Sequence, residues 1–309
     1  MDMQIGQLRC FLAVAEHRHF TRAARELGLA QPSVSAQVRG LEADLGSELF
    51  HRMKGNVTLT PAGEALLPFA RRILADVDAA TSEVSDVGGL ARGRLAIGAT
   101  PSLAATLVPP VLARFHAAHP GIDLALREAG SMDLVAAVEE GAVDIALVIL
   151  PVRQDVLDTQ ALLREELVVA VSRSHPLAKR RTIAVSDLRD TPLVMFREGY
   201  DLRSATEAAC RAAGFAPTFA VEGGEMDGVL RLTAAGLGAA IVPSLVVEPG
   251  GPLHAVRIER SALTRTVGLA HRRDRRLSRA AQELVDTVRG LVRDRTWLKR
   301  TPPGLSVLR

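Results

Sequence analysis

The stretch AQPSVSAQVRGLEADLG, residues Ala30 to Gly46, decides how the N-terminal part of the chain is interpreted. Its apolar residues recur at spacings of four, three and four, which predicts a helix with one buried stripe. The stripe comprises Val34, Val38, Leu41 and Leu45. Pro32 suits the first turn of this helix, where its missing N–H costs nothing. The residues expected to point away from the stripe are Pro32, Ser33, Ala36, Arg39 and Gly40, with Ser35 and Gln37 on the flanks.

Two further helices are predicted before this one. Apolar positions recur at helical spacing from Gln4 to about His17, and FTRAARELG follows as a short helix with Thr21 as its N-cap and Gly28 as its stop. Two helices joined by a short turn, with the second facing outward, are typical of a helix-turn-helix, whose second helix reads the major groove of DNA. Gln can pair with adenine, and Arg reaches guanine or phosphate. A three-helix module that binds another protein stays open on periodicity alone.

The segment LFHRMKGNVTLT predicts a β-hairpin after these helices. Arg52 and Lys54 lie beside the turn residues Gly55-Asn56, between two short runs that read as strands. Such a hairpin is the form of a wing that contacts the DNA backbone or the minor groove. An ordinary surface loop or a connector remains the alternative interpretation.

Composition limits the classes of protein that this chain can belong to. At 309 residues, 48% of them hydrophobic, two or three domains are expected. Aromatic residues make up only 3%, which argues against a single-strand binder that stacks bases on aromatic rings. Cys10 and Cys210 are the only cysteines, so neither a disulfide framework nor a zinc spacing is present. Without a signal peptide or a long apolar run, the expected location is the cytoplasm.

Charge is unevenly distributed along the chain. Residues 1–60 hold seven Lys or Arg against six Asp or Glu, whereas residues 257–309 hold fourteen against five. The basic C-terminal part could bind nucleic acid. However, its apolar residues recur at spacings of three and four, which favours an amphipathic helix with a solvated arginine face. Those residues are Leu277, Ala281, Leu284, Val288 and Leu291.

A long helix is predicted after the hairpin, capped by Thr60 with Pro61 in its first position. Two series of apolar residues, each with a period of seven and offset by four, form a heptad seam that favours pairing with another helix. The first series is Leu66, Ile73, Ala80 and Val87; the second is Ala70, Val77 and Val84. Pro68 should bend the helix. Gly88-Gly89 and Arg92-Gly93 then indicate a hinge.

The remaining two thirds alternate short apolar runs with helical stretches, which predicts βαβ units in an α/β fold. Thr100-Pro101-Ser102 follows the strand LAIGA and opens a helix, so this tripeptide is a candidate site for an anion or a polar ligand, or a simple helix cap. Gly236 and Gly238 follow a helix, the reverse of a dinucleotide fingerprint. Histidines lack metal-ligand spacings and no G-x-S-x-G elbow occurs, so the chain is predicted to be no enzyme, with no cofactor and no metal.

The segment QLRCFLAVAEHRHFTRAARELGLAQPSVSAQVRGLEADLGSELFHR, followed by VTLTPAGEALL, resembles the DNA-binding domain of LysR-type transcriptional regulators over about the first seventy residues. The resemblance implies a two-fold DNA site, a small-molecule effector and a homodimer or homotetramer. It implies that residues 1–60 form a winged helix-turn-helix and residues 61–90 a dimerising linker helix. Residues 91–297 would form an effector-binding domain of two lobes like those of periplasmic binding proteins. The first lobe would hold residues 94–160 and 266–295 and the second 161–265, and residues 298–309 would be a flexible tail.

The same resemblance assigns site residues. Those expected to contact DNA are Gln31, Pro32, Ser33, Ser35, Gln37 and Arg39 on the reading helix and Arg52 on the wing. Those expected to line the effector cleft are Thr100, Ser102, Ser131, Val148 and Phe196, with Glu225 and Met226 facing them from the second lobe. Ala36 departs from the family pattern, because many relatives carry a longer polar or basic side chain there. Readout of a base from that position is therefore not expected.

Within the family, PLVMFREGYDLRSATEAAC and DGVLRLTAAGLGAAIVPSLVV are similar to the peroxide-sensing OxyR branch. Cys210 matches the second cysteine of that branch, whereas Asp201 replaces the first, and Tyr200 and Ala220 replace two histidines. An intrachain disulfide switch needs two thiols within bonding distance, so Cys210 cannot supply it alone. The expected function is a DNA-binding regulator controlled by an effector, with a link to oxidative-stress genes. A redox-responsive regulator acting through Cys210, and a ligand-binding module with protein partners only, are the alternatives.

Overall fold

The computed structural model describes residues 3–53, 56–85, 93–152, 155–259, 263–298, 300–302 and 304–308. The chain divides into two compact units, residues 1–89 with residues 139–142, and residues 90–138 with residues 143–309. In the described ranges no helix combines the length and apolar character that a membrane crossing requires. The hinge residues Gly88, Gly89 and Arg92 lie outside the described residues, and Gly93 begins a strand.

The first unit contains three helices, a hairpin and a long helix, as predicted. The elements are α1 (Ile5–His17), α2 (Phe20–Glu26), α3 (Gln31–Leu45), β1 (Phe50–Met53), β2 (Asn56–Leu59) and α4 (Pro61–Ser85). The N-cap predicted for α2 was wrong by two residues: the His19 side chain accepts a hydrogen bond from the Thr21 N–H, and Thr21 lies inside the helix. Gly28 (φ +64°) and Gly46 (φ +66°) follow α2 and α3 in the left-handed region, where glycine is favoured.

The predicted stripe of α3 is the core of this unit. Val34, Val38 and Leu41 are fully buried and Leu45 is partly buried against the same cluster. The long helix contributes as well, because Ala70 and Leu74 pack into this cluster. Ala70 therefore belongs to the core of the unit, which removes it from the predicted heptad seam. Leu66, Ile73 and Val77 remain half-buried and Ala80 is exposed, while the Val84 side chain and Val87 lie outside the described residues.

The second unit is built on a mixed sheet. Its strands are β3 (Gly93–Ala99), β4 (Ile122–Glu128), β5 (Ile145–Leu150), β6 (Leu157–Ser172), β7 (Thr182–Ile183), β8 (Leu193–Phe196), β9 (Phe219–Gly224), β10 (Ala240–Pro243), β11 (Leu253–Ile258), β12 (Thr264–Arg272) and β13 (Ser306–Val307). Its helices are α5 (Pro101–Ala105), α6 (Val108–Ala118), α7 (Ser131–Glu139), α8 (Asp201–Ala212), α9 (Met226–Ala234) and α10 (Arg279–Asp294). The described strands pair in the order β4-β3-β5-β12-β6-β11-β7, β10 and β13 also pair with β6, and β8 pairs with β9.

The long strand β6 joins two lobes with separate cores. Its first part, residues 157–166, pairs with β12, and its second part, residues 167–172, pairs with β10 and β11. Along β6, Leu163 is the last residue in the buried cluster of the first lobe, and Leu167 is the first residue in the buried cluster of the second lobe. The predicted boundary at residue 160 is therefore about six residues too early, because β6 continues unbroken from one lobe into the other. The return strand likewise begins at Thr264 and not at residue 266.

The C-terminal helix and tail both pack on the first lobe. The buried face of α10 carries the predicted apolar residues, with Leu277 at its edge. The tail was predicted to be flexible, which is wrong for its described residues. Leu305 is buried in the first-lobe cluster, β13 pairs with β6 at Leu163 and Arg164, and the Leu308 N–H donates to the Leu162 carbonyl. Apolar side chains at alternate positions, with an unpaired edge of β6 to join, account for this strand. Pro303 lies outside the described residues.

Candidate DNA-binding face and effector cleft

The first turns of α3 present a compact polar face. Gln31, Pro32, Ser33, Ala36 and Arg39 are exposed, and Gln37 is half-buried. Ser35 differs from expectation, because it is only 8% exposed and its Oγ accepts a hydrogen bond from Gln31 Nε2 at 2.8 Å. Direct contact between Ser35 and a base is therefore disfavoured, and the hydroxyl instead orients Gln31. Small side chains around an oriented amide allow close approach to a groove edge.

Gly40 was expected to face outward, but it faces α1. A Cβ at this position would come within 2.9 Å of Gln7 Nε2, so α1 and α3 approach closely here. The Gln7 amide in turn donates to Asp44 Oδ2 at 3.2 Å. This contact holds α3 close against α1 and so helps to set the direction in which the polar face of α3 points.

The wing is tied to the reading helix by Arg52. Its guanidinium donates to Glu42 Oε2 of α3 at 2.5 Å and lies over the Phe20 ring, 5.5 Å from the centroid. Glu42 also accepts the Leu49 N–H through Oε1, which holds the entry to β1. The Arg52 side chain is 40% exposed, so it can exchange this pairing for a phosphate or a groove contact. Lys54 and Gly55 at the tip lie outside the described residues.

In the second unit, Thr100 and Ser102 follow β3 at the junction of the two lobes. Ser102 is buried and its Oγ accepts a hydrogen bond from Arg265 Nη2 at 2.8 Å. Arg265 also donates from Nε to Glu165 Oε1 at 2.8 Å, and Glu165 Oε2 accepts the Leu245 N–H at 3.2 Å. This network joins the first lobe, both crossover strands and the turn after β10. Thr100 is the N-cap of α5, yet its side chain makes no capping hydrogen bond.

The other predicted cleft residues have different environments. Ser131 Oγ accepts the Ile149 N–H at 3.0 Å, and Val148 is fully buried within β5. Phe196 and Met226 are buried in the second-lobe core. Glu225 is exposed and accepts a hydrogen bond from Arg197 Nε at 2.5 Å, which raises the pKa of that arginine. Of the seven predicted residues, Ser102 and Glu225 accept hydrogen bonds from arginines, and the Thr100 hydroxyl has no hydrogen-bond partner among the described residues, whereas Val148 offers only packing.

Tyr200, which the likeness to OxyR placed at a histidine of the sensing pocket, was not among the residues predicted to line the cleft. Its ring stacks on Phe196 with centroids 4.7 Å apart, and Arg197 lies 5.7 Å from the Tyr200 centroid. Burial raises the pKa of Tyr200, as do Glu225 and Glu128, whereas Arg265 and Arg197 oppose the rise. Glu128 ends β4 in the first lobe, so charged groups of both lobes influence the Tyr200 hydroxyl. The available signal in the sequence was the match of Tyr200 to a histidine of the OxyR sensing pocket.

Both cysteines are buried free thiols. Burial raises the pKa of Cys210, with Glu207 adding to the effect, and burial also raises the pKa of Cys10. Thiolate is the reactive form, so these environments disfavour a peroxide-reactive thiol. Among the described residues, no group of His, Cys, Asp and Glu is arranged to hold a metal ion.

Comparison with known proteins identifies the family. Residues 5–64 match the model of the bacterial regulatory helix-turn-helix proteins of the lysR family, and residues 88–293 match the LysR substrate binding domain. The chain belongs to the LysR family of transcriptional regulators. The predicted two-lobed α/β fold with an N-terminal helix-turn-helix is thereby confirmed.

Individual relatives agree with this assignment. The transcriptional dual regulator GltC of Bacillus subtilis is 33% identical over 93% of this chain and 96% of its own. The structure of a full-length OxyR variant from Pseudomonas aeruginosa matches with a TM-score of 0.73 and 26% identity, covering 93% of this chain and 98% of that one. Full-length CbnR complexed with its target DNA matches with a TM-score of 0.68 and 27% identity, covering 93% and 99%.

These matches confirm the predicted likeness to OxyR as well as the family. LysR-type regulators bind DNA, respond to small-molecule effectors and assemble as dimers or tetramers, and these are the partners that the sequence predicted. The individual contact residues on α3 and in the cleft remain predictions.

Proposed function

We propose that this chain controls transcription by coupling an effector in the cleft between its lobes to the way paired copies of α3 read a two-fold DNA site. The observation that carries the proposal is the exposed polar face at the start of α3. On the opposite side of α3, Val34, Val38 and Leu41 are fully buried in the core of the unit, so the polar face is the side of α3 that is left for a partner. Gln31, Pro32, Ser33 and Arg39 are the proposed DNA contacts on that face.

The charge of the reading unit supports readout of base edges more than non-specific attraction. Residues 1–60 are close to neutral, with seven basic and six acidic residues. Non-specific binding depends on phosphate neutralisation by many cations. Affinity must therefore come from base contacts, the wing and the second copy that a two-fold site engages.

Coupling to an effector requires two arrangements of the protein with different effector affinity. The Arg265–Glu165–Ser102 network spans the lobe junction and both crossover strands, so a change in lobe closure alters its contacts. The likeness to OxyR supports oxidative-stress promoters as the first targets to test.

Footprinting on the DNA upstream of the gene tests the proposal. We expect a protected site with two-fold symmetry and no protection of random duplex of equal length at the same salt. Arg39→Ala should weaken this binding, and Arg279→Ala, which removes an exposed arginine from α10, should leave it unchanged. Equal affinity for the upstream DNA and random duplex would reject the proposal.

The alternative of a regulator that senses oxidant through Cys210 can be tested separately. Cys210 is fully buried and its pKa is raised, so we expect Cys210→Ser to retain any response of the footprint to oxidant. Loss of that response in Cys210→Ser would instead support the redox-responsive regulator.

A further inference from the structure

A pocket outside the cleft lies in the first lobe, between α10 and the paired strands β6 and β12. Its volume is about 410 Å³, which is large enough for a small organic molecule. Gln160 pairs with Leu269 and Asp158 with His271 across the two strands, so these four side chains lie on one face of the sheet. Val285 of α10 packs in the same buried cluster as Leu269, so α10 covers that face and forms the opposite wall. None of the predicted cleft residues lines this pocket.

The pocket collects cationic side chains. His271 lines it from β12, and three arginines line it from the loop before α10 and from α10 itself: Arg275, Arg276 and Arg289. Among the described residues that line it, Asp158 is the one carboxylate, and it already accepts a hydrogen bond from Arg273 Nε at 2.8 Å. Cations gathered around one opening repel each other, and a bound anion would relieve that repulsion.

Two of these arginines differ in how they are held. Arg289 donates from Nε and Nη2 to Gln160 Oε1 at 2.9 and 2.6 Å, and from Nη1 to Asp286 Oδ1 at 3.2 Å. These contacts hold the Arg289 guanidinium between the strand and the helix. Arg276 is exposed, and its guanidinium forms no ion pair among the described residues, so it can turn onto a ligand without breaking one.

The base of the pocket is apolar. Leu269 and Val285 are almost fully buried there, and Leu277 at the edge is half-buried. Arginine guanidiniums bind phosphate through paired hydrogen bonds, and a phosphate monoester carries close to two negative charges at neutral pH. An organic phosphate therefore satisfies both the cationic and the apolar part of the pocket, whereas the backbone of duplex DNA needs only exposed cations.

We propose that this pocket binds a small organic phosphate monoester, with its phosphate on Arg275, Arg276 and Arg289 and its organic part against Leu277. The site is separate from the effector cleft, and the inference goes beyond the proposed function. Inorganic phosphate shares the chemistry of recognition but lacks the group that would cover the apolar base, so it should bind more weakly.

Calorimetric titration of the full-length protein at fixed ionic strength and neutral pH tests the ligand class. The probes are phenyl phosphate, inorganic phosphate and phenol, which separate the phosphate from the ring. We expect phenyl phosphate to bind in a saturable way, inorganic phosphate to bind more weakly and phenol not to bind. No saturable binding of phenyl phosphate, or phenol binding as tightly, would overturn the proposal. Inorganic phosphate binding as tightly as phenyl phosphate would overturn the assignment of an organic ligand.

A matched pair of arginine variants tests the pocket itself. Arg276→Gln should weaken the binding of phenyl phosphate and of inorganic phosphate about tenfold, the loss of roughly one hydrogen bond to a charged group. Arg293→Gln is the control, because Arg293 lies one turn beyond Arg289 on α10, pairs with the adjacent Asp294 and does not line the pocket. Leu277→Ala should weaken phenyl phosphate alone. Equal affinity of Arg276→Gln and the wild type, or equal weakening by both arginine variants, would overturn the proposal.

Footprinting with the same variants separates this site from DNA binding. We expect Arg276→Gln to protect the upstream DNA as the wild type does, because the proposed reading residues lie on α3. Loss of protection in Arg276→Gln, together with no phenyl phosphate binding by the wild type, would make this surface a DNA contact and overturn the proposal. A protein that binds phenyl phosphate but shows no DNA preference would reject the regulator while keeping the pocket.

Discussion

On α3 the polar residues proposed to read DNA are exposed and lie within one short segment, Gln31 to Arg39. In the cleft the hydrogen-bonded residues Ser102, Glu165 and Arg265 are buried and come from distant positions; Ser102 and Arg265 are 163 residues apart. The first set depends on the rest of the fold only for its direction, whereas the second exists only when both lobes are folded. Substitutions on α3 should therefore alter specificity with little loss of stability, and substitutions in the cleft should alter stability.

The largest effect is expected at Glu165. Glu165→Leu leaves Arg265 buried without its carboxylate, which should lower the free energy of unfolding of the second unit by about 3–5 kcal/mol. Urea unfolding followed by the fluorescence of Trp297, the only tryptophan, measures this, because Trp297 packs against the first-lobe core. The double variant Glu165→Leu/Arg265→Met should recover most of the loss. A single variant within about 1 kcal/mol of wild type would contradict the contrast with α3.

A smaller effect, and one on specificity, is expected at Gln31. Gln31→Ala should reduce discrimination at one base pair by about 1–3 kcal/mol, while the free energy of unfolding changes by less than about 0.5 kcal/mol. Competition binding against single-base variants of the footprinted site measures the first quantity, and thermal unfolding measures the second. Arg52→Ala is the comparison, because it should weaken binding to all variants about equally. Unchanged discrimination in Gln31→Ala would remove Gln31 from the reading face.

The ionisation of Tyr200 tests whether this residue of the second lobe is buried, in contrast to the exposed polar residues of α3. Burial raises the pKa of Tyr200 in the folded protein. In the unfolded chain, tyrosine ionises near its usual pKa of about 10. The stabilisation is thus complete below that value and is lost as the pH rises toward the folded pKa. Tyrosinate absorbance in a pH titration should rise later in the folded protein than in urea. Coincident titrations would place the Tyr200 ring in solvent.

The smallest effect is expected at an exposed ion pair. Arg231 and Asp227 lie one turn apart on α9, with side chains 79% and 78% exposed. Asp227→Asn should change the free energy of unfolding by about 0.3–0.5 kcal/mol, since solvent screens the pair. If Asp227→Asn lowered the free energy of unfolding as much as Glu165→Leu in the same urea experiment, burial would not explain the difference expected between the exposed and the buried ion pair.

The sequence predicted the features that depend on local pattern. The α3 stripe, the Thr60 cap and the buried face of α10 follow from spacing within one segment, and the structure has all three. The features that it missed depend on contacts between distant segments. The pairing of Arg265 with Glu165 and the docking of Leu305 cannot be derived from spacing within one segment, because each joins residues about a hundred or more positions apart. Prediction from local pattern also failed at Ser35, since the burial of this side chain depends on neighbouring elements and not on α3 alone.

The docking of the C-terminal segment bears on how the effector-binding half should be handled as a fragment. The family match ends at residue 293, but Trp297 and Leu305 pack in the first-lobe core and β13 is hydrogen-bonded to β6. A fragment cut at residue 293 would expose that apolar surface and an unpaired strand edge, which favours aggregation. Fragments meant for crystals or ligand titrations should therefore extend through Leu308, and an affinity tag is better placed at the other end.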